Sequence, residues 1–165
     1  MITQKELKEV LHYNPNTGIF TWTENATTRV RGKTAGRLNN RGYIGFNYKK
    51  VDYQAHRVAW LYVYGCYPDN CIDHINGINT DNRIENLREA TISQNLHNRG
   101  PNKSNTTGYK GVTFNKREKK YKAAIGVNGR RICLGSFDCP KEAHKAYCKA
   151  ANNLHGEFAN HGLTI

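Results

Sequence analysis

Nowhere does an apolar run approach the length of a membrane span, and the first ten residues, MITQKELKEV, lack the apolar core of a secretory leader. Neither insertion into lipid nor export is therefore expected. Cysteine is sparse and odd in number: Cys66, Cys71, Cys133, Cys139 and Cys148 show no Cys-x-x-Cys spacing. This argues against a disulfide framework, and no second pair accompanies Cys66 and Cys71 to complete a structural zinc site. A reduced, cytoplasmic protein is the expectation. Acidic side chains are scarce too, 13 against 25 Lys and Arg, for a net charge of +12. The excess is uneven: residues 1–98 carry 12 basic and 9 acidic side chains, net +3, while residues 99–165 carry 13 and 4, net +9. That concentration suits a polyanionic partner, with solubility or an acidic lipid surface as the alternatives.

What is present is a chain of 165 residues, 38% hydrophobic, enough for one compact domain or two small ones with modest cores. Thr3 followed by Glu6 fits a capping box, and Leu7, Val10 and Leu11 form an apolar stripe, so a short helix is expected over 4–12. After the turn residues Asn14-Pro15-Asn16-Thr17-Gly18, Ile19–Trp22 reads as a strand. Residues 43–48 and 51–54 read as a hairpin around Lys49-Lys50, an unfavoured turn pair, and the aromatic stretch Ala55–Tyr64 as a buried helix. Residues 99–107, RGPNKSNTT, have almost no apolar content and mark a linker between a domain at 1–98 and one at 108–165. Beyond it, Tyr109–Phe114, Tyr121–Val127 and Arg131–Phe137 read as three strands, with Asn128-Gly129 as a hairpin turn. Pro140 should open a helix whose stripe is Ala143, Ala146, Tyr147, Ala150, Ala151 and Leu154. Alternation sets Tyr121, Ala123 and Ile125 on one face of the sheet and Lys122, Ala124 and Gly126 on the other, which suits a thin sheet with one face against that helix and one wet.

The chemistry concentrates in DHINGINTDNRIENLREATISQN. Cys71–His74 should end a strand, Asn76–Asn82 form a polar loop, Ile84–Arg88 a returning strand, and Thr91 with Gln94 a capping box that starts a helix. Such an arrangement can gather Asp73, His74, Asn86 and Asn95. One hard divalent ion favours oxygen ligands, which the Asp73 carboxylate and the Asn95 amide supply, with phosphate and water completing the shell. His74 is then available to take a proton from water, since an imidazole with an ordinary pKa of about 6.5 is neutral near pH 7. Asn86 would hold the loop or His74 in place. Asn79 and Asn82 read as turn formers, His56 as a packing residue at a helix start, and His97 as a weaker candidate for ligand or phosphate contact.

Asp73-His74-Ile75-Asn76-Gly77, Asp81–Arg88 and Ser93-Gln94-Asn95 resemble the H-N-H homing endonucleases of phages and mobile introns, over roughly residues 43–98. The resemblance implies a ββα-metal nuclease fold with Asp73 and Asn95 as metal ligands, His74 as general base and Asn86 as the bracing middle asparagine. Asn95 in the last position makes an H-N-N variant, and its neutral amide suits a weakly held Mg²⁺ or Mn²⁺ better than zinc. His56, in AHRVAW, echoes a segment that precedes the motif.

Tyr109-Lys110-Gly111-Val112, Tyr121–Ile125, Leu134–Phe137 and the alanine-rich run from Glu142 to Ala151 are similar to the AP2 DNA-binding domain of plant transcription factors and some mobile nucleases, over residues 107–160. That resemblance implies a three-stranded antiparallel sheet entering the major groove of double-stranded DNA, backed by one helix. Lys110, Thr113, Asn115, Lys122 and Arg131 fall near its contact positions, and Lys116, Arg117, Lys120 and Arg130 are added as basic neighbours. Thr113 and Asn115 stand where the plant pattern has arginines, and a tryptophan is missing near Arg117, so its sequence preference does not carry over. The expectation is an α+β protein acting as a metal-dependent DNA endonuclease, a homing or nicking enzyme. It is expected to be monomeric, with a dimer kept open. A DNA-binding regulator on an inactive nuclease scaffold and an RNA-directed nuclease are the rivals.

Overall fold

The computed structural model describes residues 1–162, which fall into two compact units, Met1–Thr91 and the residues from Ile92 onward. No helix among the described residues is long and apolar enough to cross a membrane.

The first unit opens with α1 (Gln4–Val10), where Thr3 accepts from the backbone N–H of Glu6 at 3.2 Å. The helix ends two residues before the expected boundary because Leu11 is already extended and begins β1 (Leu11–Asn14). β1, β2 (Ile19–Trp22) and β3 (Thr34–Ala35) form one antiparallel sheet in that order. β4 (Arg37–Leu38), β5 (Ile44–Tyr48) and β6 (Val51–Gln54) form a second. β3 and β4, two residues each, carry too little pattern to stand out in the sequence. The β5–β6 turn does form at Lys49-Lys50, both with positive φ (49° and 64°). This conformation costs a non-glycine residue about 1–2 kcal/mol. Lys49 Nζ meets the Glu6 carboxylate there. α2 (Ala55–Tyr64) buries Ala55, Val58, Ala59 and Leu61 in a core with Leu7, Leu11, Phe20, Phe46, Ile72 and Leu87.

β7 (Cys71–His74) pairs antiparallel with β8 (Leu87–Ala90), bringing Asp73 opposite Arg88 and His74 opposite Leu87. The returning strand starts later than Ile84, because Ile84–Asn86 is a turn of 3₁₀ helix with the Asn86 N–H donating to the Arg83 carbonyl at 2.9 Å.

In the second unit, α3 (Ile92–His97) precedes β9 (Val112–Asn115), β10 (Lys120–Val127) and β11 (Arg130–Phe137), an antiparallel sheet with β10 in the middle. Asn128 and Gly129, both with positive φ, make the β10–β11 turn. The first strand begins at Val112, not Tyr109, because Gly111 sits at φ +76° with an added Cβ only 2.0 Å from the Tyr147 ring. Only glycine allows that approach of backbone to helix. α4 (Pro140–His155) packs Ala143, Tyr147 and Ala151 against Val112, Ala123 and Ile125. Leu154 leaves the expected stripe and is 45% exposed, while buried His144 reaches the Lys110 carbonyl at 3.1 Å.

Candidate functional site

The residues of the polar motif in the first unit are brought together by β7, β8 and the loop between them. Asp73 and His74, at the end of β7, are only 4% and 3% exposed. Asp73 Oδ2 accepts from both Nε (2.9 Å) and Nη2 (2.8 Å) of Arg88, its cross-strand partner. That cation offsets the penalty of burying a carboxylate, which would otherwise be large. His74 Nε2 lies 3.2 Å from Asn82 Oδ1, and its ring neighbours are Tyr43 at 5.9 Å and His56 at 5.2 Å between centroids. Burial lowers the His74 pKa, against opposing pulls from the Asn82 contact and the Asp73 and Asp81 charges. Its neutral form therefore prevails near pH 7.

Asn86 ties the loop together. Its Oδ1 accepts from the Asn76 N–H at 3.0 Å, and its Nδ2 donates to Asn76 Oδ1 (3.0 Å) and to the Asp81 carbonyl (2.8 Å). Of the two roles open to Asn86, these hydrogen bonds match loop bracing. Arg83 closes the loop from its other end, donating through Nε and Nη2 to the two Asp81 oxygens and holding that carboxyl down at about 2.

Two residues read as structural sit against the general-base candidate. Asn82, 2% exposed, touches His74 directly. His56 sits at the start of α2, and burial, helped by the His74 and Arg57 charges, pushes its pKa down to about 3. Its Nδ1 is buried without a hydrogen-bond partner. In the sequence, Asn82 is one asparagine among several in a turn-rich loop, and nothing local sets it apart.

Asn95 lies on α3, half-buried, in the second unit. That helix is fastened within its own unit. Lys110 Nζ donates to the carbonyls of His97 (2.8 Å) and Arg99, Asn160 Nδ2 donates to the Asn98 carbonyl (2.8 Å), and the His97 and His155 rings stack at 3.7 Å. Burial draws Lys110 down to about 8, while the two carbonyls favour its charged form. Lys110 is thus half-buried within the unit, and it also lines the groove shared by Thr113 and Arg131.

Among the described residues, no group of three or more His, Cys, Asp or Glu side chains is arranged to hold a metal. The two oxygen donors expected from the sequence are the buried carboxylate of Asp73 in the first unit and the half-buried amide of Asn95 in the second. Each is a hard oxygen donor of the kind that Mg²⁺ or Mn²⁺ prefers, and the two lie on separate units.

The wet face of the second sheet follows from register. Asn115 faces Lys120, Thr113 faces Lys122, and Arg131 faces Gly126, all on the side opposite the buried Ala123 and Ile125. Arg130 pairs with Val127 beside the β10–β11 turn, and Lys116 and Arg117 occupy the β9–β10 turn. Lys122 Nζ contacts Glu118 at 2.7 Å and Lys120 Nζ contacts Asp138 at 3.4 Å, exposed pairs that salt or a phosphate readily displaces. Thr113, Gly126, Arg130 and Arg131 line a groove of about 600 Å³ with the polar segment around Asn102 and Asn105.

A family model described as HNH endonuclease matches residues 53–97, and one described as AP2 domain matches residues 107–157. The chain is 32% identical over 88 residues to Protein 3.8 of Escherichia phage T7, covering 53% of this chain and 72% of that protein. It is 32% identical over 125 residues to the uncharacterized HNH endonuclease L560 of Acanthamoeba polyphaga mimivirus, covering 74% of this chain and 63% of the other. Over 67 residues it is 38% identical to the AP2-like ethylene-responsive transcription factor TOE2 of Arabidopsis thaliana, 41% of this chain and 14% of that one. No solved structure matches it significantly.

Proposed function

The chain belongs to the HNH endonuclease family and carries an AP2 domain behind the nuclease motif, and on that premise we propose that it hydrolyses a phosphodiester bond of double-stranded DNA with one divalent ion. The observation that carries this reading is the buried Asp73-His74 pair at the end of β7, beside a loop locked by Asn86. His74, neutral at working pH, takes a proton from the attacking water as the water oxygen bonds to phosphorus and the bond to the 3′ oxygen breaks. Asp73 and Asn95 would hold Mg²⁺ or Mn²⁺, which supplies Lewis-acid stabilisation of the charge growing on phosphate and on the leaving oxygen. Arg88 fixes the Asp73 carboxylate, and Asn86 keeps the loop from sliding past His74. One base per chain cuts one strand, so a nicking monomer is the simplest form.

The second unit holds the duplex. Thr113, Asn115 and Lys122 would meet base edges, and Lys116, Arg117, Lys120, Arg130 and Arg131 would meet phosphates. A three-stranded sheet suits the major groove of DNA and not the deep, narrow one of an RNA duplex. Kinship with phage and mimivirus proteins agrees with a part in the mobility of a genetic element, such as intron homing.

Incubating the purified chain with randomised duplex DNA under Mg²⁺, Mn²⁺ or chelator, and mapping both strands, tests the reading. Ion-dependent nicks are expected. Asp73→Ala and Asn95→Ala should each raise the ion concentration needed, and Asn95→Asp should retain activity. Binding without cleavage would point instead to a regulator on a nuclease scaffold, and cleavage confined to RNA to a different substrate.

A further inference from the structure

The β1–β2 hairpin lies outside the segment matched as HNH endonuclease, yet it grips the loop that faces His74. Tyr13 donates its buried hydroxyl to the Asn82 carbonyl at 2.7 Å, across 69 residues of sequence. Burial pushes that hydroxyl up to about 12, so it stays a donor. Gly18, in the turn between β1 and β2, has φ +70°, and a Cβ there would lie 2.5 Å from the Asn82 carbonyl carbon and the Arg83 nitrogen. The peptide after Asn82 is thereby held on one side by a hydroxyl and on another by a glycine that cannot be enlarged.

The side chain of Asn82 is oriented as well. Its Nδ2 faces the Thr80 carbonyl at 3.4 Å, which turns Oδ1 toward His74 Nε2 at 3.2 Å. An amide oxygen only accepts, so this contact favours the tautomer of neutral His74 that carries its hydrogen on Nε2.

We infer that Asn82 is a positioning residue that sets the tautomer and orientation of His74, and that the β1–β2 hairpin acts on the reaction through it, by way of Tyr13 and Gly18. The inference rests on the proposed role of His74 as base. Asn82 differs here from Asn86, whose side-chain hydrogen bonds go to Asn76 and Asp81.

The imidazole nitrogen resonances of the full-length protein in metal-free buffer, assigned by their loss in His74→Gln, report the tautomer whether or not DNA is cut. The wild type should show the Nε2–H form. Asn82→Ala should shift His74 toward the Nδ1–H form and lower kcat about 10- to 100-fold, with KM for duplex unchanged, as small misplacements of a reacting group do. Asn82→Asp, which keeps an acceptor at the same place, should keep the Nε2–H form and restore most of kcat. Tyr13→Phe, with the carboxamide intact, should give a smaller fall in kcat and a broadened His74 signal. If Asn82→Ala does not fold, the Asp and Phe variants decide. An Nδ1–H wild type, or a His74 signal indifferent to Asn82 and Tyr13, overturns the inference. A tautomer that responds as described in a protein that never cuts DNA overturns the nuclease reading instead.

Discussion

In the first unit Asp73, His74, Asn82 and Asn86 are all buried, each fixed by named partners, within a core built from Phe20, Phe46, Leu7, Leu11 and Leu61. The second unit leaves Thr113, Lys120 and Arg131 exposed on a sheet whose core is largely alanine, with Val112, Ile125 and Tyr147. Chemistry needs polar groups held in one geometry and kept from bulk water, which a large aromatic core can enforce. Phosphate contacts need charge near a surface and tolerate motion, so a thin core suffices. Substitutions among the buried polar residues of the first unit should therefore act through kcat and all at once, those on the exposed sheet face of the second through affinity and by degrees.

The sharpest test of that contrast is His74→Ala, expected to lower cleavage by about 100-fold or more while affinity for duplex is kept. Parallel cleavage and binding titrations check it, and equal loss of both would make His74 structural. Gly111→Ala should come next in size. It places a Cβ against Tyr147 at a positive φ, costing about 2–4 kcal/mol from strain and overpacking together. Thermal unfolding should show the second unit weakened, with duplex binding lost in step.

Acid should distinguish the units less abruptly. His56 is held neutral to about pH 3 in the folded protein, while an unfolded chain protonates it near 6.5. Its depressed pKa leaves the stability of the first unit intact above 6.5 and removes it as pH falls toward 3, by at most about 1.4 kcal/mol per pH unit. Chemical denaturation across that window checks the slope, and His56→Phe should flatten it.

Single charges on the wet face should matter least. Lys122→Ala or Arg131→Ala should weaken duplex binding modestly, and removing one phosphate-binding cation should reduce the slope of log affinity against log salt by about 1. A change in cleavage at saturating DNA would break the separation of the two roles.

Much of this was legible in the sequence because it is local. Ala55–Tyr64 is helical as its aromatic pattern implies, Asn128-Gly129 turns the hairpin, and Cys71–His74 ends a strand with Asp73 and His74 adjacent. The bulge between Ala123 and Ala124 did not disturb the alternation that buries Ala123 and Ile125. The residues that failed to declare themselves depend on distant ones. Lys110 looks like any surface cation until the carbonyls of His97 and Arg99 are seen to surround it. Leu154 fits a helical stripe yet lies exposed in its last turn among the described residues.

Composition, charge and short-range pattern by themselves determined two modules, their order, a nuclease motif in one and a basic sheet in the other, since hydrophobic period and turn chemistry act within a few residues. Only the tertiary structure decided that α3, with Asn95, packs in the compact unit beginning at Ile92, although composition breaks at residue 99. It likewise decided that Asn82, and not Asn86, meets His74, and that Tyr13 holds Asn82 from 69 residues away. A hydrogen bond between buried groups is selected by packing over the whole unit, and no local pattern in the chain encodes its partner.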